Sequence, residues 1–248
     1  MDDTSDEQGT LLALLESAEA VLFDFDGPVC DLFGDASTAP VAREIKAAVY
    51  SAWGRDLDQR VKECDDSHGI LRRVREMYDG PEPLPDRLRE ALKLAEDIVQ
   101  DQEFAAVASA RRAPEVVRLV WALREKGRRL AIVSNNAPAP VASYLTRLTV
   151  RGEFAAVIGR DPHDPLLMKP DPHSVNCAVK SLGLPPSACI LIGDQLTDLE
   201  AAQAAGTPFI GYTQSPERAA QMRDRGANAV VSSHRPLINA AEMLRKPN

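Results

Sequence analysis

Short apolar runs that alternate with helical patterns are the feature that most constrains the fold of this chain. Each run is apolar on both faces, as a strand buried between two layers of helices must be. The runs are Ala20–Phe25, Leu130–Val133, Phe154–Ile158, Cys189–Ile192, Pro208–Ile210 and Ala229–Val231. This alternation predicts an α/β fold, a doubly wound, Rossmann-like parallel sheet with helices on both faces.

The segment after the first run has a different sequence pattern. No strand-like run appears from about residue 34 to residue 108, and helical periodicity dominates there instead. Three amphipathic helices are predicted, the second capped by Ser67 and the third beginning after Pro85. We therefore expect an inserted, all-helical cap domain at residues 34–108, and an α/β core made of residues 1–33 and 109–248.

Composition narrows the class of protein. The 248 residues carry a formal net charge of −8, which disfavours binding to nucleic acid or to an anionic membrane surface. No apolar run is long enough for a membrane-spanning helix, and the acidic N-terminus lacks the positive start of a secretory signal. The four cysteines include no C-x-x-C pair, so a zinc cluster is not expected. We expect a cytoplasmic protein with reduced thiols.

Polar and charged side chains follow or adjoin the predicted strands. In an open parallel sheet, the carboxyl ends of the strands and the loops beyond them are where ligands bind. The side chains expected to converge there are Asp24 and Asp26 after the first strand, Ser134 and Asn135 after the second, Lys169 before the fourth, and Asp194 and Asp198 after it.

This set of residue types points to phosphoryl chemistry. Asp24 and Asp26 are two residues apart, and carboxylates held together repel unless a cation lies between them or one keeps its proton. Two further aspartates add negative charge, and oxygen ligands without His or Cys suit Mg²⁺. A divalent ion attracts a phosphate group, whose other oxygens Ser134 and Lys169 would bind and neutralise.

At this point the sequence resembles a known family. It is similar to the haloacid-dehalogenase-like (HAD) superfamily, in particular to its phosphatase branch with a helical cap inserted after the first strand. The four signatures of that family occur in order. The resemblance extends over essentially the whole chain, and it is weaker in the cap than in the core. The signatures are Asp24-x-Asp26, Ser134, Lys169 and Gly193-Asp194-x-x-x-Asp198.

The resemblance implies a role for each matching residue. Asp24 is the expected nucleophile, which forms an aspartyl-phosphate. Asp26 is the expected general acid for the leaving oxygen and then the general base for water. Lys169 is expected to pair with Asp24 and with the phosphate, which the Ser134 hydroxyl and the Asn135 backbone N–H would hold.

The metal site is also implied by the resemblance. Mg²⁺ is expected on the Asp24 carboxylate, the Asp26 backbone carbonyl and Asp194, with Asp198 acting through a water molecule. One position departs from the family pattern, which usually has Thr or Val two residues after the second aspartate. Pro28 stands there, and because proline lacks an N–H and fixes φ, it changes how the linker to the cap leaves the strand.

The cap offers two candidate substrate contacts. In similar caps the loop that joins the first two helices faces the active site and selects the leaving group. Here that loop is Cys64–His68, and His68 and Arg72 could contact a second anionic or hydroxylated part of the substrate. The alternative is a solvated loop and an arginine on the exposed face of a helix.

The leading hypothesis is a Mg²⁺-dependent phosphomonoesterase that acts on a small phosphorylated metabolite, of the phosphoglycolate-phosphatase-like type. A phosphosugar mutase with the same core and cap is the nearest enzymatic alternative. An alternative of another class is a phosphoryl-acceptor signalling module, which places acidic, hydroxyl and lysine side chains on successive strand ends. The inserted helices and the late Gly193-Asp194-x-x-x-Asp198 element argue against that module.

Overall fold

The structure, a computed structural model, describes residues 3–34, 37–78 and 84–245. Its strands are β1 (Ala20–Phe23), β2 (Cys30–Asp31), β3 (Arg111–Arg112), β4 (Arg129–Val133), β5 (Phe154–Ile158), β6 (Cys189–Gly193), β7 (Phe209–Tyr212) and β8 (Ala229–Val231). Its α-helices are α1 (Asp3–Ser17), α2 (Ala39–Trp53), α3 (Gln59–Lys62), α4 (Ser67–Glu76), α5 (Asp86–Ser109), α6 (Val116–Glu125), α7 (Pro138–Arg147), α8 (His173–Leu182), α9 (Leu196–Ala205), α10 (Pro216–Asp224) and α11 (Arg235–Met243).

Six strands form one parallel sheet in the order β5-β4-β1-β6-β7-β8. The chain moves outward from β1 to one edge and then returns to fill the other side, so the direction of winding changes at β1. Ligands bind at such a switch point, beyond the carboxyl ends of the central strands. The predicted α/β fold, a doubly wound parallel sheet, is confirmed.

Both faces of the sheet are covered, as the doubly apolar strands require. Val21 and Phe23 pack into a cluster with side chains from α1, α6, α7 and α11, whereas Ala20 and Leu22 point to the opposite face. There they meet side chains from α8, α9 and α10. Because alternate residues of β1 enter different clusters, the central strand is buried on both sides.

Helices α2 to α5 form a separate layer with its own apolar cluster. That cluster joins Ile45 and Val49 of α2 to Leu71 of α4 and Val99 of α5, and it also includes Met168 from the core. The predicted cap range, 34–108, contains all four helices except the last residue of α5. The domain boundaries remain a prediction, and residues 1–2, 35–36, 79–83 and 246–248 of the predicted ranges lie outside the described residues.

The two connections between cap and core pair with each other. β2 and β3 form a two-residue antiparallel ladder, in which Cys30 pairs with Arg112 and Asp31 with Arg111. An ion pair of 2.7 Å between Asp31 Oδ2 and Arg111 Nη2 reinforces it. The cap therefore leaves and re-enters the core at one place, close to the end of β1.

Local details differ from the sequence-based expectations. Ser67 is the first residue of α4 and not its cap, because the side chain of Asp66 accepts the hydrogen bond from the Gly69 N–H. Helix α1, which had not been predicted, places Leu11 and Leu15 in the core. The leucines lie four residues apart, a spacing that favours one buried helical stripe.

Candidate active site

Three adjacent strands bring the predicted core residues to one edge of the sheet. Asp24 follows β1, Ser134 follows β4 and Asp194 follows β6. Backbone pairing continues into these positions, since the Asp24 N–H donates to the Ile192 carbonyl at 2.8 Å and the Ser134 N–H to the Ile158 carbonyl at 2.9 Å. The sheet itself therefore fixes where these side chains begin.

Lys169 lies at the centre of the site, although it comes from the loop after β5. Its Nζ is 2.7 Å from Asp24 Oδ1 and 2.5 Å from Asp198 Oδ1, and it donates to the Val133 carbonyl at 3.2 Å. All three side chains are buried. Burial alone would lower the pKa of the Lys169 ammonium, but the charges of Asp198 and Asp24 outweigh it and raise that pKa. The group is a permanent cation beside Asp24.

The acidic side chains outnumber this cation. Oxygen atoms of Asp24, Asp194 and Asp198 lie within 4.8 Å of one another. Burial, and then the charge of Asp198, raises the pKa of Asp194 to about 7 and that of Asp24 well above its ordinary value. When all three groups are ionised, they carry two more negative charges than the Lys169 ammonium offsets. An oxygen-only donor set with this charge fits a divalent cation such as Mg²⁺.

Both carboxylate oxygens of Asp198 accept hydrogen bonds from other parts of the protein. One carboxylate oxygen receives Lys169 Nζ, and the other accepts the backbone N–H groups of Asp194 and Gln195, at 3.1 and 2.9 Å. Asp198 thus holds both the lysine and the loop that carries Asp194. This arrangement supports the expectation that Asp198 reaches a metal ion through water rather than directly.

Asp26 lies in a tight turn just beyond Asp24. Its Oδ1 accepts the Leu32 N–H at 2.8 Å, and burial raises the pKa of its carboxyl group. Gly27 has a φ of 101°, and a Cβ there would lie 2.6 Å from Asp194 Cγ. Only glycine therefore lets this turn approach the loop that carries Asp194.

Pro28 is compatible with this turn. The hydrogen bonds that close it are donated by other residues: Gly27 N–H to the Cys30 carbonyl, and the N–H groups of Val29 and Cys30 to the Phe25 carbonyl. The departure from the family pattern therefore removes no hydrogen bond that this turn uses.

The turn after β4 combines a hydroxyl with two amides. The Ser134 hydroxyl donates to Asn136 Oδ1 at 3.0 Å and accepts the Asn136 N–H at 3.1 Å. Asn135 is tied to the lysine loop, because its Nδ2 donates to the Lys169 carbonyl at 3.2 Å and its Oδ1 accepts the Lys169 N–H at 2.8 Å. Asn135 thus ties the predicted phosphate-binding turn to the loop that carries Lys169.

The two cap candidates both contact other parts of the protein. His68 Nε2 is 2.8 Å from Glu103 Oε1, and its ring lies edge-on to Phe33, with ring centroids 6.4 Å apart. His68 is also close enough to lower the pKa of Asp26 slightly against the larger effect of burial. Arg72 Nη1 donates to the Met168 carbonyl at 2.9 Å, next to Lys169. Both residues therefore lie where the cap meets the core.

Sequence reasoning missed a buried charged group beside the site. Glu96 and Glu103 of α5 and Arg160 after β5 form ion pairs, and Asn136 joins them. One signal was available. Glu96 and Glu103 fall on the apolar stripe of α5 that includes Leu92 and Val99, and a carboxylate on a buried stripe needs a partner.

Comparison with known proteins identifies the family of this chain. Residues 18–206 match the haloacid dehalogenase-like hydrolase family. A phosphoglycolate phosphatase of Escherichia coli O157:H7 is 27% identical over 218 residues, 82% of this chain and 84% of that protein. One from Shigella boydii is 28% identical over 214 residues, 80% of this chain and 82% of the relative.

Solved structures show the same fold. A HAD-superfamily hydrolase of subfamily IA from Geobacter sulfurreducens aligns with a TM-score of 0.54 at 18% identity, covering 91% of this chain and 97% of its own. CbbY from Rhodobacter sphaeroides, solved in complex with phosphate, aligns with a TM-score of 0.54 at 22% identity, covering 87% and 94%.

This chain belongs to the haloacid dehalogenase-like hydrolase family. It is an enzyme of the phosphatase type, which favours hydrolysis over the signalling module considered from the sequence. Within the described residues, no helix combines the length and apolar character needed to cross a membrane.

Proposed function

We propose that this chain is a Mg²⁺-dependent phosphomonoesterase that acts on a small phosphorylated metabolite through an aspartyl-phosphate on Asp24. The observation that carries the proposal is the position of Lys169 Nζ, within hydrogen-bonding distance of both Asp24 and Asp198 at a carboxylate-rich strand edge. A buried lysine beside a nucleophilic carboxylate offsets the charge of an incoming phosphate, which would otherwise be repelled.

In the first half of the reaction, an Asp24 carboxylate oxygen attacks phosphorus and the bond to the leaving oxygen breaks. Asp26 gives its proton to that oxygen. The raised pKa of the buried Asp26 carboxyl group suits a proton donor, and the Leu32 N–H holds the side chain in one orientation.

In the second half, water attacks the phosphorus of the aspartyl-phosphate while Asp26 takes a proton from it. The bond between phosphorus and Asp24 breaks, which releases phosphate and regenerates the free carboxylate. The Ser134 hydroxyl and the Asn135 N–H would hold the phosphate oxygens in both halves. Lys169 stays paired with Asp24 when the nucleophile is free.

The residues that would hold Mg²⁺ are Asp24, the Asp26 backbone carbonyl and Asp194, with Asp198 acting through water. When bound, the ion supplies positive charge that brings the phosphate to Asp24 and stabilises charge in the transition state. Gln195 orients Asp194 for this task, since its Nε2 donates to Asp194 Oδ2 at 2.6 Å.

The relatives named phosphoglycolate phosphatase make a small phosphorylated acid the first substrate to test. His68 lies at the cap–core boundary near Asp26, and we place it beside the leaving group. Arg72 is the other proposed substrate contact, and it borders the site through the Met168 carbonyl.

Phosphate release from a panel of phosphorylated metabolites tests the proposal. Phosphoglycolate, sugar monophosphates and p-nitrophenyl phosphate would be incubated with enzyme far below the substrate concentration, with Mg²⁺ or with EDTA. Many turnovers that need Mg²⁺ are expected. Isomerised sugar phosphates without phosphate release would instead show a mutase, and no turnover of any ester would contradict the proposal.

A further inference from the structure

A buried charged group joins the cap to the core beside the phosphate-binding turn. Glu103 of α5 and Arg160 after β5 form an ion pair in which both side chains are 0% exposed. His68 Nε2, 2.8 Å away, contacts the same Glu103 oxygen. Burying such charges costs desolvation energy, so an ion pair of this kind is weak evidence for a role in stability alone.

Glu103 reaches directly into the turn that follows β4. Its Oε1 accepts Asn136 Nδ2 at 3.2 Å and its Oε2 accepts the Ala137 N–H at 2.9 Å. Asn136 in turn holds the hydroxyl of Ser134. A carboxylate of the cap is therefore only one side chain away from the hydroxyl proposed to bind phosphate.

Arg160 holds the same turn through a different atom. Its Nη1 donates to the Asn135 carbonyl at 3.1 Å as well as to Glu103, and its Nε donates to Glu96 Oε2 at 2.7 Å. Arg160 therefore connects the turn after β4 to both buried carboxylates of α5.

Glu103 is suited to hold these donors. Burial would raise the pKa of its carboxyl group, but the hydrogen bond from His68 and the charge of Arg160 outweigh burial and lower it. The side chain is a carboxylate at neutral pH, and its hydrogen bonds to the turn are of the strong, charge-assisted kind.

We propose that Glu103 is a positioning residue for phosphate binding, which sets the geometry of the Ser134–Ala137 turn only while the cap rests on the core. The inference rests on the proposed function in so far as this turn binds the substrate phosphate. Glu103 lies on α5 within the predicted cap range, so opening of the cap would take this acceptor away from the turn. Closure of the cap thereby completes the phosphate site as well as covering it.

Two matched variants test the role of Glu103. Glu103→Gln replaces one carboxylate oxygen by an NH₂ group, which cannot accept a hydrogen bond. Because Asn136 and Ala137 donate to different oxygens of Glu103, at least one of these two contacts is lost. Glu96→Gln also removes a carboxylate of α5 from Arg160, yet Glu96 bonds neither Asn136 nor Ala137 among the described contacts. Loss of support for Arg160 is common to both, whereas loss of the turn contact is particular to Glu103→Gln.

Inorganic phosphate serves as the ligand, measured as a competitive inhibitor of p-nitrophenyl phosphate hydrolysis. For Glu103→Gln we expect the inhibition constant and KM to rise about tenfold to a hundredfold, the range for one lost charge-assisted hydrogen bond. Glu96→Gln should change them less than about threefold. Equal inhibition constants in the two variants, with similar melting temperatures, would overturn the inference.

Hydrogen–deuterium exchange gives a readout that needs no activity. The amide N–H groups of residues 134–137 should exchange faster in Glu103→Gln than in Glu96→Gln, with the strands β1 and β6 unchanged in both. If the wild type neither hydrolyses esters nor binds phosphate, the proposed function fails, and exchange alone decides the inference. Equal exchange in the two variants would then overturn it.

A second substitution covers the case in which Glu103→Gln does not fold. Asn136→Ala removes the Nδ2 group that donates to Glu103 Oε1 and the Oδ1 that accepts from Ser134, while the Ala137 N–H and the Glu103–Arg160 pair are not substituted. This variant should also raise the inhibition constant for phosphate, and an unchanged constant would contradict the proposed contact.

Discussion

Replacing Asp194 by Asn should make the metal-free protein more stable while removing most of its stabilisation by Mg²⁺. Asp194 shares a buried strand edge with Asp24 and Asp198, and Lys169 is the neighbouring cation. Asn keeps the shape of the side chain and the oxygen that accepts from Gln195, but removes one of the repelling charges. The wild-type carboxylate is therefore expected to serve metal binding at a cost in the stability of the apoprotein.

The size of the effect follows from the pKa of Asp194, which rises from an ordinary 3.8 to about 7. Each unit corresponds to about 1.4 kcal/mol, so ionising Asp194 in the metal-free fold costs at most about 4 kcal/mol. Partial exposure and screening reduce this to about 2 kcal/mol. At roughly 2–4 °C per kcal/mol for a chain of this size, the variant should melt about 4–8 °C higher in EDTA at about pH 8, where Asp194 is ionised.

The sign of the pH dependence follows from the same pKa. Between about pH 4 and about pH 7 the folded protein keeps the Asp194 proton, whereas the unfolded chain has lost it. Raising the pH through this window in EDTA therefore lowers the free energy of unfolding of the wild type. Asp194→Asn should lack this part of the decline, and Mg²⁺ should restore stability to the wild type by replacing the proton.

Thermal melts in EDTA and in saturating Mg²⁺, at about pH 5 and about pH 8, measure each of these effects. The wild type at a metal concentration about a hundredfold above the dissociation constant should gain about 2.7 kcal/mol, and Asp194→Asn far less. Asp101→Asn is the matched control, since Asp101 is exposed on α5. Equal melting temperatures of the wild type with and without Mg²⁺ would refute the metal site, and a less stable variant in EDTA would refute the proposed repulsion.

Three further substitutions test the remaining roles. Asp24→Asn should abolish turnover without loss of fold, and normal activity in a folded variant would disprove the nucleophile. Asp26→Asn should still form the aspartyl-phosphate from activated esters but slow its hydrolysis by about 10²–10⁴; rapid-quench kinetics measures both halves, and equal loss in both would contradict the acid–base role. Gly27→Ala places a Cβ 2.6 Å from Asp194 Cγ at a φ of 101°, so it should destabilise the fold by about 1–3 kcal/mol and raise the Mg²⁺ concentration needed for half-maximal activity. Urea unfolding and a metal titration test that last substitution, and unchanged metal dependence would count against the close approach.

The core of the site was predictable because its residues stand at the ends of periodic elements. Asp24, Ser134 and Asp194 each follow an apolar run, and parallel strands bring such ends to one edge of a sheet. Lys169 was harder, since it lies in a loop far from any strand end. It was expected at the site because it precedes the fourth predicted strand, and the family resemblance then implied its pairing with Asp24; the structure places its Nζ 2.7 Å from Asp24.

The cap contacts were not predictable in the same way. A two-residue ladder such as that of Cys30 and Arg112 is too short to leave a periodic signal. Contacts between Glu103 and the turn after β4 join residues more than thirty positions apart, and nothing local encodes that pairing. What the sequence did offer was a carboxylate on an apolar helical stripe, which indicates a buried partner without naming it.

Two backbone N–H groups link the cap and its linker to two different side chains of the proposed active site. The Leu32 N–H, on the linker that leaves the core, orients Asp26, while the Ala137 N–H in the core is held by Glu103 of the cap. The β2–β3 ladder joins the two linkers, so the segment that carries Leu32 and the end of α5 leave the core side by side. We therefore expect proton transfer by Asp26 and phosphate binding at Ser134 to respond together to the position of the cap, although both residues lie in the core.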